Sequence, residues 1–292
     1  MKKSISINQK INSLKKKNIF VEGDKSLSIR FILLSSLSKG RCVAKNLLKS
    51  EDVISSINCI KKLGIKIRLE KSYCEVFGKG LNGYKYKRNI ILNAGNSGTT
   101  ARLLCATLID AKHNIKITGD KSLRKRDMSR IINPLLKFGV RFKSTNKRLP
   151  LFIKGPKLLK PISYNENLGS AQCKSAVMIA ALKTQGKTKL KCLPSRNHTE
   201  IMFKKVLKIP IKIQKLKNYE LIKIDGLKEF NSFNYNIPGD ISSAAFFIVL
   251  TLLSKNSFLT IKKVNINPSR TGVIKILNKM GAQIKYFNKK NY

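Results

Sequence analysis

The sequence contains few of the residues that bind metals or form disulfide bonds. It has only two histidines, and His198 has neither a cysteine nor the second histidine close to it, which argues against a metal site. The six cysteines are scattered, and no two form a Cys-x-x-Cys pair. Such cysteines are typical of reduced thiols in a cytosolic protein. The sequence therefore predicts a cytoplasmic protein with neither a metal site nor a disulfide framework.

Acidic residues are also scarce, and tryptophan is absent. There are 15 Asp and Glu against 60 Lys and Arg, which gives a formal net charge of +45. This imbalance usually indicates a polyanionic partner, but the excess is mostly lysine and is spread along the whole chain. We interpret it as mainly compositional bias, with a basic surface that attracts small anions and binds RNA non-specifically at low salt. Without tryptophan, or aromatic residues interleaved on a basic strand, the sequence predicts no base-stacking platform and no specific nucleic-acid partner.

No hydrophobic run is long enough to cross a membrane. The longest, residues 244–253, is shorter than the roughly 20 residues that a bilayer requires. Residues 1–17 are charged and have no apolar centre, so they do not resemble a signal peptide. With 292 residues, 42% of them hydrophobic, the chain has room for a full core and for two domains.

A motif for the start of an apolar helix recurs four times, about 70 residues apart. In each case Gly stands beside Ser, Thr or Asp, which cap helix N-termini, and small or apolar residues follow. The four glycines are Gly23, Gly95, Gly169 and Gly239, and the helices predicted after them cover 27–37, 100–109, 173–182 and 243–253. Because these helices are apolar nearly all round, we expect them to lie inside a domain.

A second, amphipathic helix lies between these apolar helices and ends in glycine before an apolar strand. Gly64, Gly139 and Gly281 mark three such ends, and Ile209-Pro210 takes the corresponding place in the other unit. Strands are predicted at 90–92, 115–117, 151–153, 189–192 and 221–224. The sequence thus predicts an α/β fold of repeated βαβαββ units around buried helices.

The loop that follows Leu92 has the chemistry of an anion site. Gly95 and Gly98 permit a sharp turn and the close approach of a ligand. The free N–H groups of the next helix then face whatever occupies the loop. The spacing fits neither a P-loop nor a dinucleotide fingerprint, and most glycine-rich turns of this kind are only turns.

Two basic segments carry side chains suited to anionic ligands. Lys25 stands just before a helix start, with Ser26 as the predicted N-cap and Arg30 four residues further along the same face. Arg126 lies in a basic turn that follows Gly119, and a guanidinium binds carboxylate or phosphate through two parallel bonds. Each segment also has a purely structural explanation, as a helix cap or a solvated basic loop.

Two further segments contain polar side chains at predicted helix starts. Ser170 and Gln172 offer a hydroxyl and an amide at a helix N-terminus, which suits a phosphorylated ligand, although Ser170 also reads as a plain cap. His198 precedes a short helix predicted over 200–207, and Thr199 is the predicted cap of that helix.

Together these segments resemble the 5-enolpyruvylshikimate-3-phosphate synthase family. The matching stretches occur in the family's order between about residues 21 and 284. They are GDKSLSIR, LNAGNSGTTARLL, GDKSLRKRDM, PLFIKGPKLLKPISY, GSAQCKSA, PSRNHTE, IPGDISSAAFF and NPSRTGVIKILNKMGA. The resemblance implies transfer of the enolpyruvyl group of phosphoenolpyruvate to the 5-hydroxyl of shikimate-3-phosphate, with release of phosphate. It places the chain in aromatic amino acid biosynthesis, with two small-molecule substrates and without a metal or organic cofactor.

The resemblance also implies roles for individual residues, and Lys25 would contact both substrates and take part in proton transfer. The residues implied in binding shikimate-3-phosphate are Lys25, Ser26, Arg30, Ser170, Ala171 and Gln172. Those implied in binding phosphoenolpyruvate are Lys25, Asn96, Gly98, Arg126 and Gln172. Asp127 stands where the family usually has Pro, and we expect it to pair with Arg126 and weaken phosphoenolpyruvate binding.

The family has six repeats, three in each domain, and this chain carries four. We expect residues 21–236 to form a complete three-repeat domain, and residues 1–20 with 237–292 to form one repeat of the second. The missing third carries the family's acidic catalytic residue and its Lys-Glu acid/base pair. General acid–base catalysis by such groups typically contributes ~10²–10⁴ in rate. The apolar helix predicted at 243–253 would then lack partners and expose a sticky face.

Three hypotheses follow from these features. In the first, the chain works as the transferase when a second polypeptide or reading frame supplies the missing repeats. In the second, it is a truncated, catalytically impaired homologue that only binds substrate. In the third, it is a basic RNA-binding protein on the same fold.

Overall fold

A computed structural model describes residues 13–287, in which helices alternate with short strands. The helices are α1 Lys25–Ser36, α2 Glu51–Lys62, α3 Gly98–Thr107, α4 Lys121–Arg124, α5 Ser129–Lys137, α6 Ala171–Leu182, α7 His198–Ile201, α8 Ile241–Leu253 and α9 Gly272–Lys279. The strands are β1 Lys15–Phe20, β2 Lys39–Lys45, β3 Lys66–Leu69, β4 Tyr73–Lys79, β5 Ile91–Asn93, β6 Ile115–Thr118, β7 Arg141–Ser144, β8 Leu151–Lys154, β9 Ser163–Glu166, β10 Lys187–Cys192, β11 Ile211–Lys215, β12 Glu220–Asp225, β13 Asn234–Asn236 and β14 Phe258–Lys262.

These residues form two compact units. Residues 25–237 make up the large unit, and residues 13–24 with 238–287 make up the small unit. None of the helices in the described part of the chain is both long enough and apolar enough to cross a membrane.

The large unit contains three four-stranded sheets that share one strand order. The first sheet runs β13-β2-β4-β3, the second β5-β6-β8-β7 and the third β9-β10-β12-β11. In each sheet the first two strands are parallel and the other pairs are antiparallel. β5 and β9 are the edge strands that pair in parallel with the second strand of their sheets. In the first sheet this position belongs to β13, although β13 comes after the third sheet along the chain. In the small unit, β1 pairs in parallel with β14. The predicted α/β fold is confirmed.

The apolar helices begin where the sequence places their polar caps. α3, α6 and α8 each begin two residues before the predicted start, and α1 begins at Lys25. The N-cap side chains of Ser97, Ser170 and Asp240 accept backbone N–H bonds of 3.2, 3.3 and 2.8 Å from the first turn of their helices. Because α1 already includes Lys25, Ser26 lies inside its first turn, so the prediction of Ser26 as N-cap is wrong.

The apolar helices of the large unit form its core. α1, α3 and α6 are buried over most of their length and pack against one another in one continuous hydrophobic cluster. Each sheet covers this cluster from outside with its alternate apolar residues. The expectation that these helices lie inside a domain is therefore confirmed for the large unit.

α8 in the small unit differs from the other apolar helices. Only Ile241 and Ala244 are buried, whereas Phe246 and Leu253 are 79% and 80% exposed. The exposed apolar face expected for this helix is present in the described structure.

The amphipathic helices end as the sequence predicts. Gly64 and Gly139 follow α2 and α5 with φ of +82° and +94°, in the left-handed conformation that glycine adopts without strain. In the third repeat Lys208 takes this conformation, with φ of +53°, just before Ile209-Pro210. There the predicted single helix is α7 followed by a π-helical turn, Met202–Val206.

The outer side of the first sheet brings together basic and aromatic residues of different strands. Tyr73 and Phe77 lie on the same face of β4 and opposite basic residues of β2, since Tyr73 pairs with Lys45 and Phe77 with Arg41. A basic strand face with interleaved aromatic residues therefore exists. The sequence analysis considered single strands, and β4 alone is not a basic strand because Glu75 lies between its two rings; the face is assembled by pairing between strands.

Candidate functional site

The N-terminal parts of α1, α3 and α6 are linked by hydrogen bonds between side chains of their first two turns. Arg30 of α1 donates to Ser175 of α6, and Gln172 of α6 donates to Thr99 of α3. Each N-terminus carries unpaired N–H groups and a partial positive charge of about half a unit. Three such ends, joined at one place in the large unit, make a site that favours anions.

Arg30 is buried and held on three sides. Its Nε donates to Thr199 Oγ1 at 2.9 Å, Nη2 donates to Ser175 Oγ at 2.9 Å, and Nη1 donates to the Ser26 carbonyl at 3.1 Å. Thr199 also hydrogen-bonds Ser175 at 2.7 Å. The prediction that Thr199 caps its helix is wrong, because its hydroxyl is engaged with these two side chains. The result is a guanidinium with a fixed direction.

Lys25 lies at the start of α1, against the first turn of α2. Its Nζ lies 3.0 Å from Asp52 Oδ2, and about half of the lysine side chain is exposed. The backbone carbonyl of Asp52 accepts from Thr100 Oγ1 at 3.3 Å, which ties this pair to the N-terminus of α3. Asp52 was not singled out from the sequence, because its partner lies 27 residues away on another helix.

Gly98 lies directly against two guanidinium groups. A Cβ built on it would lie 3.2 Å from Nη1 of Arg126 and 3.4 Å from Nη1 of Arg102. The missing side chain leaves the helix N–H groups and both cations accessible to one small ligand.

Asn96 holds Arg126 in this position. Its Oδ1 accepts from Arg126 Nη2 at 2.7 Å, and its Nδ2 donates to Asp120 Oδ2 at 2.6 Å. Asp120 also caps α4 by accepting from the Leu123 N–H at 2.7 Å. The Leu123 and Asn96 hydrogen bonds lower the pKa of Asp120, so the carboxylate that orients Asn96 stays charged.

Arg102 is a second residue of the candidate site that the sequence analysis missed. Its Nη1 donates to Gln172 Oε1 at 2.7 Å, and its Nη2 donates to the Asp127 carbonyl at 3.0 Å. Burial lowers its pKa, and the positive charges of Arg130 and Arg126 add to the effect. Its position one helical turn after Gly98 is a signal that was available in the sequence.

Asp127 does not pair with Arg126 as expected. Its carboxylate accepts from both the N–H and the hydroxyl of Ser129 at the start of α5, and the Ser129 side-chain bond is the main reason that its pKa is lowered. Arg126 instead donates to Asn96. A short polar loop satisfies the carboxylate locally and leaves the guanidinium next to Gly98.

The remaining predicted residues lie at the same helix ends. Ser170 caps α6, its own N–H donates to Glu166 at 3.0 Å, and Ala171 begins the helix. One turn further in, Lys174 is completely buried and lies 2.5 Å from Glu200 of α7 and 3.3 Å from Glu220 of β12. Burial alone lowers the pKa of Lys174, but the two carboxylates outweigh it and leave the pKa raised. This ion cluster anchors α7, and with it Thr199, beneath Arg30.

The predicted residues thus gather into two groups joined through Gln172. One group surrounds Arg30 and the N-terminus of α6, and the other surrounds Gly98 and Arg126. Together they present cations, helix N-termini and an amide, which is the chemistry for two adjacent phosphate or carboxylate ligands. No His, Cys, Asp or Glu cluster in residues 13–287 is arranged to hold a metal ion. The binding roles of the nine residues stay predictions.

Comparison with known proteins points to one family. Residues 9–291 match the family model described as EPSP synthase (3-phosphoshikimate 1-carboxyvinyltransferase). The chain is 42% identical over 275 residues to the 3-phosphoshikimate 1-carboxyvinyltransferase of Thermoanaerobacter sp. (strain X514), covering 93% of this chain and 63% of that protein. It is 42% identical over 272 residues to the protein of the same name from Ruthia magnifica, covering 92% and 61%.

The structure is similar to that of EPSP synthase from Acinetobacter baumannii. The TM-score is 0.82 at 35% identity, and the match covers 92% of this chain and 60% of the other. The chain therefore spans about three fifths of the length of the relatives it matches. On the family match, the sequence motifs and the fold together, this chain belongs to the EPSP synthase family.

Proposed function

We propose that this chain takes part in transfer of the enolpyruvyl group of phosphoenolpyruvate to the 5-hydroxyl of shikimate-3-phosphate, with release of phosphate. The observation that carries the proposal is the group of cations and helix N-termini around Arg30, Gly98 and Arg126. Each substrate has a phosphate and a carboxylate, so the pair needs several fixed positive groups at adjacent positions.

The two groups of residues suit one substrate each. We assign Ser26, Arg30, Ser170 and Ala171 to shikimate-3-phosphate, because they lie at the N-termini of α1 and α6. Asn96, Gly98 and Arg126 are assigned to phosphoenolpyruvate. Gln172, hydrogen-bonded to Thr99 and Arg102 of α3, lies between the two groups and would contact both ligands.

Lys25 is the residue to which we assign proton transfer within this chain. Asp52 holds its ammonium group at 3.0 Å, and half of the side chain remains exposed for contact with substrate. A positioned ammonium stabilises charge that develops on the substrates and donates a proton, and the neutral amine that remains can accept one.

Further catalytic groups belong to the part of the family fold that these residues do not span. We propose that this part, on the same or a second polypeptide, also covers the exposed face of α8, since Phe246 and Leu253 have the apolar character of a buried interface. The six cysteines are all free thiols, which agrees with a reducing, cytoplasmic setting.

Titration calorimetry with shikimate-3-phosphate tests the binding assignment. We expect Lys25→Ala and Arg30→Ala to weaken binding at least tenfold, because each removes a charged partner of the ligand. Lys154→Ala is the matched control, since it removes the same charge from β8 on the second sheet. Equal affinity of all four chains would contradict the proposal.

Phosphate release distinguishes the transferase from a homologue that only binds substrate. We expect release from the two substrates when the chain is mixed with the remaining two fifths of a relative. Binding without release in that mixture would favour the impaired homologue.

Gly98→Ala should lower the affinity for phosphoenolpyruvate about tenfold, because the methyl group displaces Arg126 and Arg102 by a few tenths of an ångström.

A further inference from the structure

The outer side of the first sheet combines basic and aromatic side chains. Its inner side is buried against α1 and α2 through Cys42, Ala44, Ile67, Cys74 and Val76. On the outer side, alternate residues of β2, β3 and β4 point away from the core. The basic residues on this outer face are Lys39, Arg41, Lys45, Lys66, Arg68 and Lys79. Glu75 is the acidic residue that they surround.

The one acidic side chain is neutralised within the face. Glu75 is buried between Arg41, which donates to it through Nε and Nη2, and Arg68, whose Nη1 lies 3.7 Å from Oε2. Both arginine side chains nevertheless remain more than half exposed. The face therefore presents a surplus of positive charge to solvent, although it contains a carboxylate.

Two aromatic side chains lie among these basic residues. Tyr73 and Phe77 point the same way from β4 and are four positions apart, or about 13 Å along the strand. Lys66 Nζ and Arg68 Cζ lie 5.4 and 5.5 Å from the centre of the Phe77 ring. Tyr73 lines a groove of about 320 Å³ whose other lining residues are Arg41, Val43, Lys45 and Ser72.

We propose that this face binds single-stranded nucleic acid, without sequence preference. Flat rings set in a basic strand face are suited to stacking of unpaired bases, while the surrounding lysines and arginines bind the phosphates. The argument rests on the combination, since charge alone is found all over a chain with a net charge of +45.

The other two sheets show that the combination is not a property of every outer face. The second sheet has one outward aromatic residue, Phe152, with Lys116 Nζ 5.9 Å from its ring. The third sheet presents Lys187, Lys189 and Lys191 on β10 with one ring beside them, since Lys191 Nζ lies 4.2 Å from the centre of the Tyr219 ring. Within residues 13–287 the first sheet is therefore the one four-stranded sheet with two rings on its basic face.

Fluorescence anisotropy with a labelled oligouridine strand tests the proposal. We expect Tyr73→Ala with Phe77→Ala to lower the affinity about tenfold or more at every salt concentration, because stacking is lost. The salt slope, which is the slope of log affinity against log salt concentration, should stay the same, since no charge is removed. The matched control is Phe152→Ala, which removes a ring that is 37% exposed, as Tyr73 is, from the second sheet. Its affinity should stay within about twofold of that of the unchanged chain.

Variants without two of the lysines, and anions other than oligouridine, provide a second test of the proposal. Lys45→Gln with Lys66→Gln should reduce the salt slope by about 0.7 for each phosphate that is no longer neutralised by a lysine. Oligothymidine should behave as oligouridine does. Equal oligouridine affinity of the aromatic double variant and the unchanged chain would overturn the proposal. The proposal would also be overturned if binding of anionic phosphatidylglycerol vesicles depended on the two rings while binding of oligouridine did not.

Photocrosslinking avoids any dependence on a variant's folding. A 4-thiouridine strand irradiated with the unchanged chain should give adducts within β3 and β4, which mass spectrometry locates. Adducts distributed evenly over the lysines of all three sheets would assign the binding to general charge and reject this site.

Discussion

At the scale of single residues, the site depends on how its charged groups are held. Arg30 has three acceptors around its guanidinium, one of which is the Thr199 hydroxyl. Thr199→Val keeps the shape and removes that acceptor. A hydrogen bond to a charged group is worth about 1.5–3 kcal/mol, so we expect shikimate-3-phosphate affinity to fall by at least about tenfold.

Calorimetry with three chains checks this expectation. Thr199→Ser should restore the affinity, because it returns the hydroxyl. Thr188→Val is the control, since Thr188 is buried on β10 and its hydroxyl has no hydrogen-bond partner in the described structure. Unchanged binding by Thr199→Val would mean that Ser175 and the Ser26 carbonyl suffice to orient Arg30.

The cysteines give a second prediction at this scale. Burial raises the pKa of Cys59, Cys74, Cys105, Cys173 and Cys192 to about 12, and raises that of Cys42 as well. The thiolate is the reactive form. The folded chain should therefore react very slowly with Ellman's reagent even at mildly alkaline pH, and all six thiols should react at once in denaturant. A fast-reacting thiol in the folded chain would contradict the buried positions.

At the scale of elements, α8 is the helix whose environment does not match its composition. Phe246 and Leu253 are almost fully exposed, although the helix is as apolar as the buried ones. Phe246→Ser with Leu253→Ser should reduce both self-association and binding of a hydrophobic dye, with little change in thermal midpoint. Sedimentation velocity and dye fluorescence measure the two effects.

A buried position provides the contrast for this prediction. Val177→Ser in α6 removes a methyl group and buries a hydroxyl in the core, so it should lower the free energy of unfolding by about 2–4 kcal/mol. Dye binding that persists after both α8 substitutions would place the sticky surface elsewhere, for example at α9.

The elements also show what local sequence patterns can predict. Helix starts were found within two residues, because Ser and Asp caps and glycine turns are short-range signals. The helix containing Thr199 was misread because its hydroxyl bonds to Arg30, 169 residues away. Asp52 was missed for the same reason, whereas Arg102 could have been found from its position one helical turn after Gly98. Long-range partners decide the role of a polar residue, and one sequence does not reveal them.

At the scale of the whole molecule, the net charge of +45 opposes compactness. Repulsion among lysines destabilises the folded chain, and salt screens it with a Debye length of about 10 Å at 0.1 M. We expect the thermal midpoint to rise by several degrees between low and moderate sodium chloride. Scanning calorimetry over a salt series measures this, and a midpoint that falls with salt would contradict it.

The order of strands in the first sheet has a consequence for the growing chain on the ribosome. β2 is made by residue 45, yet its parallel neighbour β13 begins only at residue 234. Until then one edge of β2 has unpaired N–H and C=O groups, which are the usual template for wrong pairing between nascent chains. During synthesis this edge of β2 therefore stays open to wrong pairing until β13, the last strand of the sheet, leaves the ribosome.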